Sequence, residues 1–518
     1  MMLSVLVFLP LAAGLLGALL PRALARWASL AGALGALGIA IYLLADFDSG
    51  GGLQHVVDVN WISELGISYS LGVDGLNLFL VVTTALLWVI SVGWAAGQDW
   101  ERPRLFYFHI GLAETAVLGA FLAQDVALFV VFFDLMLVPF YFLIGGWGRG
   151  ERVAATTKLL IYTLVGSLLM LAAAVAMGVL ATPDGGELSF QIADLVKREL
   201  SEGEQQWIFL LFALAFLVKA PAFPLHGWMP DAYRATPLPV LILLSAVLSK
   251  VGVYAFLRIV LPILPDASAH FQELMLVLAV ISILYGSVLA FSQDDTRLVL
   301  GYSSIAQLGF ITLGIFSLDP KGAQGAVFQM VNHALVTAAL FIVVGVLAAR
   351  ARGSDRLSDM GGLATRAPVL AALTLILTLA ALAMPGSGNF VGEFLILFGT
   401  FEDKIVYGLV ASAGVVLAAV YMIRFFQRAM HYRGGQNDDS REIGRLEFAV
   451  LAPLVAIVIA LGVYPQFVLE RSDRATVAQV KPARELATGG GEAEAAPPGS
   501  QPVQPVVPPG GAPPGPQG

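Results

Sequence analysis

Long apolar stretches recur along almost the whole chain, and each is close in length to a helix that crosses a membrane. An α-helix needs about 20 apolar residues to span the hydrocarbon core of a bilayer. About fourteen stretches reach that length, near residues 3–20, 27–45, 76–96, 105–121, 125–144, 157–181, 207–228, 237–260, 271–291, 300–317, 324–348, 367–400, 405–428 and 447–468. The pattern predicts an all-α polytopic membrane protein with about 14 transmembrane helices in a lipid bilayer.

Two of the predicted helices contain residues that interrupt a helix. The seventh carries Pro221 and Pro224, and the twelfth contains the sequence PGSG at 385–388. Proline removes a backbone donor and clashes with the preceding turn, so we expect helices 7 and 12 to be broken. Helices 4–8 and 9–13 then form two groups of five, each broken in its fourth helix. Because five crossings reverse the second group, the pattern predicts an inverted repeat with a transport site near the breaks.

The same pattern divides the chain into five regions. Residues 1–103 contain predicted helices 1–3, and residues 104–260 and 261–430 contain the two five-helix repeats. Residues 431–471 contain the last transmembrane helix. Residues 472–518 are rich in Pro, Gly and Ala, so we expect a disordered tail that cannot bury enough apolar surface to fold.

Composition supports a membrane protein and excludes several other classes. Of the 518 residues, 58% are hydrophobic and 13% are charged, whereas soluble domains carry about 25% charged residues. The net charge of −8 provides no basic patch, so no nucleic acid partner is predicted. The chain has no cysteine, which excludes disulfides, thiolate catalysis and cysteine-bound iron–sulfur clusters. Without a nucleotide-binding glycine motif or metal-like His/Asp/Glu spacing, we expect no cofactor, metal or catalytic residue in this chain.

The distribution of positive charge predicts the orientation of the chain in the membrane. Alternate loops hold most of the 29 Lys and Arg residues, and the loops of the other side, to which we assign Arg258, hold fewer. Cytoplasmic loops are enriched in Lys and Arg, so both termini are predicted to lie outside. The first helix has no preceding basic segment, and we read it as retained rather than as a cleaved signal. The Arg, Ala and Gly bias is typical of a GC-rich bacterial genome, which places the chain in a bacterial plasma (inner) membrane.

Several ionisable residues fall inside the predicted helices. A charged side chain at the centre of a bilayer costs about 3 kcal/mol on insertion scales, so such residues call for a functional reason. At a rise of 1.5 Å per residue, the candidates near mid-membrane are Glu114, Asp134, Lys219, Lys250 and His333. After the breaks, His226 lies toward the cytoplasmic half and Glu393 toward the outer half.

The choice of lysine is informative. The chain contains 22 arginines and 7 lysines, yet both mid-membrane bases, Lys219 and Lys250, are lysine. A lysine removed from water can lose its proton, whereas arginine stays charged. We therefore predict that both lysines release and regain protons. The alternative is that buried carboxylates simply neutralise them.

The acids and histidines complete the predicted relay. Asp134 is the natural partner of Lys219, because a nearby carboxylate holds a lysine protonated and its withdrawal favours release; the alternative is a static ion pair. Glu114 either takes part in the proton path or pairs with a neighbouring subunit. His333 and His226 titrate near neutrality and are read as relay groups or as core histidines. Three further polar residues would line a water wire or bond to the backbone: Tyr162, Ser303 and Ser304.

Residues 1 to about 468 resemble a known family. The similarity lies in short motifs on the predicted helices: VVFFDLMLVP at 130–139, AFLVKAPAFPLH at 215–226, WMPDA at 228–232, LSKVG at 248–252, GYSS at 301–304, NH at 332–333 and GEF at 392–394. They are similar to the antiporter-like membrane subunits of proton-pumping NADH:quinone oxidoreductase (complex I), a family shared with Mrp-type cation/proton antiporters. Glu393 stands where L- and N-type subunits carry lysine, and the absence of a long lateral helix after the core also matches the M-type pattern, as does Asp74-Gly75.

The resemblance implies roles for the candidate residues. Asp134 and Lys219 would form the family's carboxylate–lysine pair, Lys250 and His333 the central axis, and Glu393 the exit group. Glu114 matches a family acid on helix 4. The chain departs from the usual pattern at four positions, with Asp134 for Glu, Tyr233 and Gln307 for frequent His, and Arg297 for Lys. The missing histidine at Gln307 removes one relay step, which water or His333 would have to bridge.

The resemblance also implies a function and partners. The chain would be a proton-translocating subunit driven by quinone reduction elsewhere in complex I, beside L-type and N-type subunits. NADH, FMN, iron–sulfur clusters and quinone would bind to partner subunits. The alternatives are a subunit of a multisubunit Na⁺/H⁺ antiporter, a membrane-bound hydrogenase or formate hydrogenlyase, or a structural scaffold.

Overall fold

The computed structural model describes residues 1–183, 185–432 and 441–489 as a largely helical protein. In chain order the main helices are α1 (Met2–Leu19), α2 (Arg22–Asp46), α3 (Leu78–Ala96), α4 (Pro103–Leu122), α5 (Val126–Trp147), α6 (Arg152–Leu180), α7a (Glu202–Lys219), α7b (Met229–Ala235), α8 (Leu238–Ile263), α9 (Gln272–Ser292), α10 (Thr296–Phe316), α11 (Pro320–Arg350), α12a (Pro368–Ala381), α12b (Gly388–Asp403), α13 (Ile405–Met430), α14 (Arg445–Val463) and α15 (Gln466–Ala487). Among the described residues, 12 of these helices are long and apolar enough to cross a membrane. The predicted helical, polytopic membrane fold is confirmed, whereas the count of about 14 transmembrane helices stays a prediction.

The seventh and twelfth predicted helices are interrupted, as their prolines and glycines predict. Helix α7a ends at Lys219, residues 220–228 are not helical, and α7b begins at Met229. Helix α12a ends at Ala381, and α12b begins after Ser387, whose side chain accepts a hydrogen bond from the Phe390 amide. The breaks leave helix ends inside the bundle, where their dipoles act on nearby charges. The inverted repeat of helices 4–8 and 9–13 stays a prediction.

The membrane helices differ strongly in how deeply they are buried. Helices α8 and α10 are completely buried over their apolar windows, and α11 is 94% buried. Helices α1, α2, α13 and α14 bury only about a third of theirs and form the periphery. The three central helices carry Lys250, Gln307 and His333, so these polar groups lie in the middle of the molecule. Peripheral helices separate them from lipid.

A β-hairpin between α2 and α3 was not predicted. Its strands are β1 (Gln54–Ile62) and β2 (Ile67–Val73), paired antiparallel. Gly66 turns the chain with φ +63°, and a Cβ there would lie 2.0 Å from the Leu188 carbonyl oxygen, so only glycine fits. The strands are partly polar and much shorter than a membrane-spanning stretch, so the apolar pattern predicts a loop there.

The predicted disorder of residues 472–518 is wrong for the first part of that segment. Residues 466–487 form α15, whose inward face buries Val468, Leu469, Ser472, Thr476, Val480 and Ala483. Arg484 Nη1 lies 2.7 Å from Asp319 Oδ2 at the start of α11. The Pro and Gly content of the later residues concealed this amphipathic helix. Because a helix follows α14, the argument that only a disordered tail follows the core no longer holds. Residues 490–518 lie outside the described part, and the other domain boundaries stay predictions.

Candidate functional site

Lys219 is the last residue of α7a and is buried at the first helix break. Its Nζ donates a hydrogen bond of 3.4 Å to the Phe133 carbonyl and lies 4.3 Å from the centre of the Phe133 ring. The C-terminal end of a helix carries partial negative charge and favours a cation. Dipoles and an aromatic face therefore hold the amine in the bilayer.

Asp134 follows Phe133 on α5 but does not contact the amine directly. Within the described residues no Asp134–Lys219 ion pair is present at 4.0 Å or less, and the two groups interact only at longer range. Ser167 of α6 lies beside the carboxylate, and one Asp134 oxygen has no hydrogen-bond partner among the described residues. The predicted pair is thus adjacent but open, which differs from the static ion pair considered as the alternative.

Lys250 lies in the completely buried helix α8, just after a π-helical turn at Leu244–Leu248. Its Nζ donates to the Ser245 carbonyl at 3.0 Å and to Ser249 Oγ at 3.3 Å. A π-helical turn changes the backbone pairing and is frequent at functional sites. Across the described residues, no carboxylate forms an ion pair with Lys250, so buried acids do not neutralise it.

His333 and Glu393 continue the series of buried ionisable groups, which begins with Lys219 and Lys250, into the second half of the chain. His333 of α11 is buried within electrostatic range of Lys250, and its Nδ1 has no partner among the described residues. Glu393 of α12b accepts a 2.8 Å hydrogen bond on Oε1 from Gln307 Nε2. Gln307 Oε1 in turn accepts a 2.7 Å hydrogen bond from Gln329 Nε2. Glu393 Oε2 is buried without a partner in the described part of the chain.

Gln307 therefore touches the predicted exit group directly. A neutral amide donates and accepts hydrogen bonds but is not a proton carrier at physiological pH. One turn earlier on the same face of α10, Ser303 Oγ lies 2.9 Å from Tyr421 Oη of α13. Tyr421 is buried within electrostatic range of Glu393.

The structure does not place His226 or Glu114 in contact with the buried groups described above. His226 lies in the 220–228 break, where Nε2 is 3.1 Å from Tyr285 Oη. It is within electrostatic range of Lys158, which pairs with Asp231 on the side predicted to be cytoplasmic. Glu114 is buried in α4, and one of its oxygens has no partner among the described residues. Its 1% exposure argues against direct contact with a neighbouring subunit.

The buried ion pair between Arg258 and Asp74 was not predicted. Arg258, which was assigned to an outer loop, is buried in α8 and bonds Asp74 through Nη2 at 2.6 Å and Nη1 at 2.8 Å. Arg258 Nε also donates to Tyr254 Oη at 2.9 Å, and Tyr254 Oη donates to the Phe121 carbonyl. The available signal was an arginine at the end of an apolar stretch, preceded by tyrosine one turn earlier.

These features define a polytopic helical membrane protein whose interrupted helices carry buried ionisable groups. Residues 123–419 match the family described as NADH:quinone oxidoreductase/Mrp antiporter, TM. The chain is 37% identical to NADH-quinone oxidoreductase subunit M of Mycobacterium tuberculosis over 94% of this chain and 96% of that protein. It is 38% identical to subunit M of Escherichia coli K12, covering 82% of this chain and 84% of that protein.

Solved structures give the same result. A chain of respiratory complex I from Thermus thermophilus with bound NADH matches with a TM-score of 0.85 and 32% identity, over 93% of this chain and all of that chain. A chain of the Mrp complex from Dietzia sp. shares the fold, with a TM-score of 0.80 and 24% identity over 94% and 98% of the two chains. The chain therefore belongs to the NADH:quinone oxidoreductase/Mrp antiporter family, and the predicted resemblance is confirmed.

Proposed function

We propose that this chain is the M-type membrane-arm subunit of a proton-pumping NADH:quinone oxidoreductase. Its identity to subunit M proteins over most of its length supports this assignment. L-type and N-type subunits would be its neighbours, and NADH, FMN, iron–sulfur clusters and quinone would be held by other subunits. The chain would lie in a bacterial plasma membrane with both termini outside, as the positive charge of its loops suggests.

The observation that carries the mechanism is that, in the described part of the chain, no carboxylate is bonded to either buried lysine, Lys219 or Lys250. Quinone reduction elsewhere would alter the Asp134–Lys219 separation and make Lys219 release its proton. The proton would pass through Lys250, His333 and bound water to Glu393, which would deliver it outside. Lys219 would then reload from the cytoplasm, with His226 and Glu114 as accessory groups on the inner side and on α4.

The contact between Gln307 and Glu393 affects the last step of this relay, the transfer of the proton to Glu393. The amide would orient the carboxyl but would not protonate it. The Ser303–Tyr421 hydroxyl pair, 2.9 Å apart, offers a replacement route that ends near Glu393. A water molecule between Tyr421 Oη and Glu393 Oε2 would complete it.

Substitution in the assembled complex tests the function. Lys219→Ala and Glu393→Ala should each abolish or greatly reduce NADH-driven proton pumping into inverted membrane vesicles. The control is Lys321→Ala, because Lys321 is half exposed and paired with Glu402 at 2.9 Å. Assembled Lys219→Ala and Glu393→Ala variants that pump at the unmodified stoichiometry would remove both residues from the path.

The family that matches residues 123–419 includes Mrp antiporters as well as NADH:quinone oxidoreductase, and this favours one second candidate, a subunit of a multisubunit Na⁺/H⁺ antiporter. Co-purification separates the two functions. A complex I subunit would co-purify with quinone-reductase subunits, and its proton transport would require NADH and quinone. An antiporter subunit would transport without either.

A further inference from the structure

A cavity of about 160 Å³ opens on the face that carries the β-hairpin and α15. One wall is the loop that directly follows α2, and the other is α15, which begins three residues after α14 ends. Segments that leave a membrane-spanning helix lie at the level of the lipid headgroups. The cavity therefore opens near one headgroup layer, on the side predicted to be outer.

Two arginines of α15 line this cavity. Arg471 and Arg474 are three residues apart on the helix and so lie on one side. Arg471 donates to the Phe467 carbonyl at 2.9 Å and lies over the Phe467 ring, while its buried Nε has no partner in the described residues. Arg474 donates to the Gly50 carbonyl. A guanidinium has five N–H donors, so most of these donors stay available.

The cavity keeps a net positive charge. Its lining contains the carboxylate Asp74, but both Asp74 oxygens are bonded to Arg258. Within the described ranges, neither Arg471 nor Arg474 has a carboxylate within 4.0 Å. Two uncompensated guanidinium groups on one wall favour an anion.

The opposite wall leaves room for a ligand to approach the backbone closely. It has the sequence SGGG at 49–52, so three consecutive residues lack a side chain. A Cβ at Gly52 would meet nothing within 4 Å, which leaves open space beside the backbone. Glycine loops let a ligand come near backbone amides.

We infer that this cavity binds the headgroup phosphate of an anionic phospholipid, held by Arg471 and Arg474, and that free phosphate would compete for the same groups. Guanidinium forms paired, charge-assisted hydrogen bonds with phosphate oxygens. The position at the headgroup layer favours the lipid. A bound headgroup would join the α2–β1 loop to α15. The inference is independent of the proton relay.

Cross-linking in the reconstituted complex tests this site. Proteoliposomes would contain photoactivatable phosphatidylglycerol with its reactive group beside the headgroup, and mass spectrometry would quantify adducts on α15. The unmodified chain should be labelled. In the double variant Arg471→Ala/Arg474→Ala the amount of label on α15 should fall at least about tenfold, because two charge-assisted contacts are removed. Arg474→Gln, a milder change, should lose a smaller part.

The control is Lys481→Ala, since Lys481 is exposed on the same helix and paired with Glu485; its labelling should not change. Native gels confirm equal assembly. Excess inorganic phosphate should lower the label, because it competes for the same guanidinium groups. Equal labelling of the unmodified chain and the double variant, label unchanged by excess phosphate, or no label on α15 would overturn the inference.

Discussion

The two helix breaks hold a base and an acid in different surroundings. At the first break, the Lys219 amine rests on the carbonyl and ring of Phe133, and its predicted acid, Asp134, stays out of contact. At the second, the acid Glu393 is hydrogen-bonded by Gln307, and Gln307 is held by Gln329. The first site is a cation at the C-terminal end of a helix, and the second is an acid in the second turn of another.

The two sites share one physical solution despite this difference. Each ionisable group is bonded by a neutral group that cannot take its proton: a carbonyl in one case and an amide in the other. Among the described residues no opposite charge is bonded to either group, so the proton affinity of each group responds to charges that lie further away. Such an arrangement suits groups that gain and lose protons, whereas a directly bonded pair such as Asp74–Arg258 suits a structural role.

The largest effect should come from removing the titrating carboxyl at each break while keeping its size. Glu393→Gln preserves the hydrogen bond to Gln307 but cannot bind a proton, so pumping should fall about hundredfold. Asp134→Asn removes only a longer-range charge, so we expect a loss of about fivefold. Proton pumping per NADH oxidised in inverted vesicles measures both.

Glu402→Gln is the matched control for this pair of variants. Glu402 lies on the same helix, α12b, but its side chain is 37% exposed and paired with Lys321, so pumping should be unchanged. If Asp134→Asn were the more severe of the two carboxyl variants, the contrast between an open pair and a bonded acid would be wrong.

A smaller effect should follow from disturbing the packing that supports Glu393. A Cβ at Gly392 would lie 2.3 Å from Gln329 Oε1 and 3.2 Å from Gln329 Cα, so Gly392→Ala forces α11 and α12b apart. We expect a destabilisation of about 1–3 kcal/mol and a several-fold loss of assembled complex, measured by native gels after mild heating. Gly93→Ala is the control, because its Cβ would meet no atom within 4 Å. Equal stability of the two variants would contradict the packing argument.

The smallest effect should come from lengthening the first acid. Asp134→Glu adds one methylene and brings the carboxylate closer to Lys219. A closer carboxylate holds the ammonium more strongly, so we expect turnover to slow by about two- to threefold with pumping retained. Steady-state NADH oxidation coupled to proton uptake provides the measurement. A variant that pumps faster than the unmodified complex would show that the open pair is not needed for release.

Much of the fold was predictable because bilayer thickness fixes the length of a spanning helix. The breaks at Pro221 and at 385–388 were predictable because proline and glycine act locally, whatever surrounds them. The β-hairpin and α15 were not, because both lie outside the apolar stretches and depend on tertiary contacts such as Gly66 with Leu188. Helix α15 was hidden by the composition of the residues that follow it.

The candidate site was predictable as a list of residues but not as a set of contacts. Depth along each helix identified Lys219, Lys250 and Glu393. No sequence rule indicates that Gln307 would hydrogen-bond Glu393, because that depends on the packing of α10 against α12b. For the same reason Arg258, at the end of an apolar stretch, was assigned to a loop instead of to a buried pair with Asp74.

The central claim is that the two deep amines work because they can give up a proton. The double substitution Lys219→Arg/Lys250→Arg keeps both positive charges but removes that ability. In an assembled complex with normal NADH oxidation by its soluble arm, the account predicts a loss of pumping of at least about tenfold. Proton pumping at the unmodified rate with both arginines in place would contradict it.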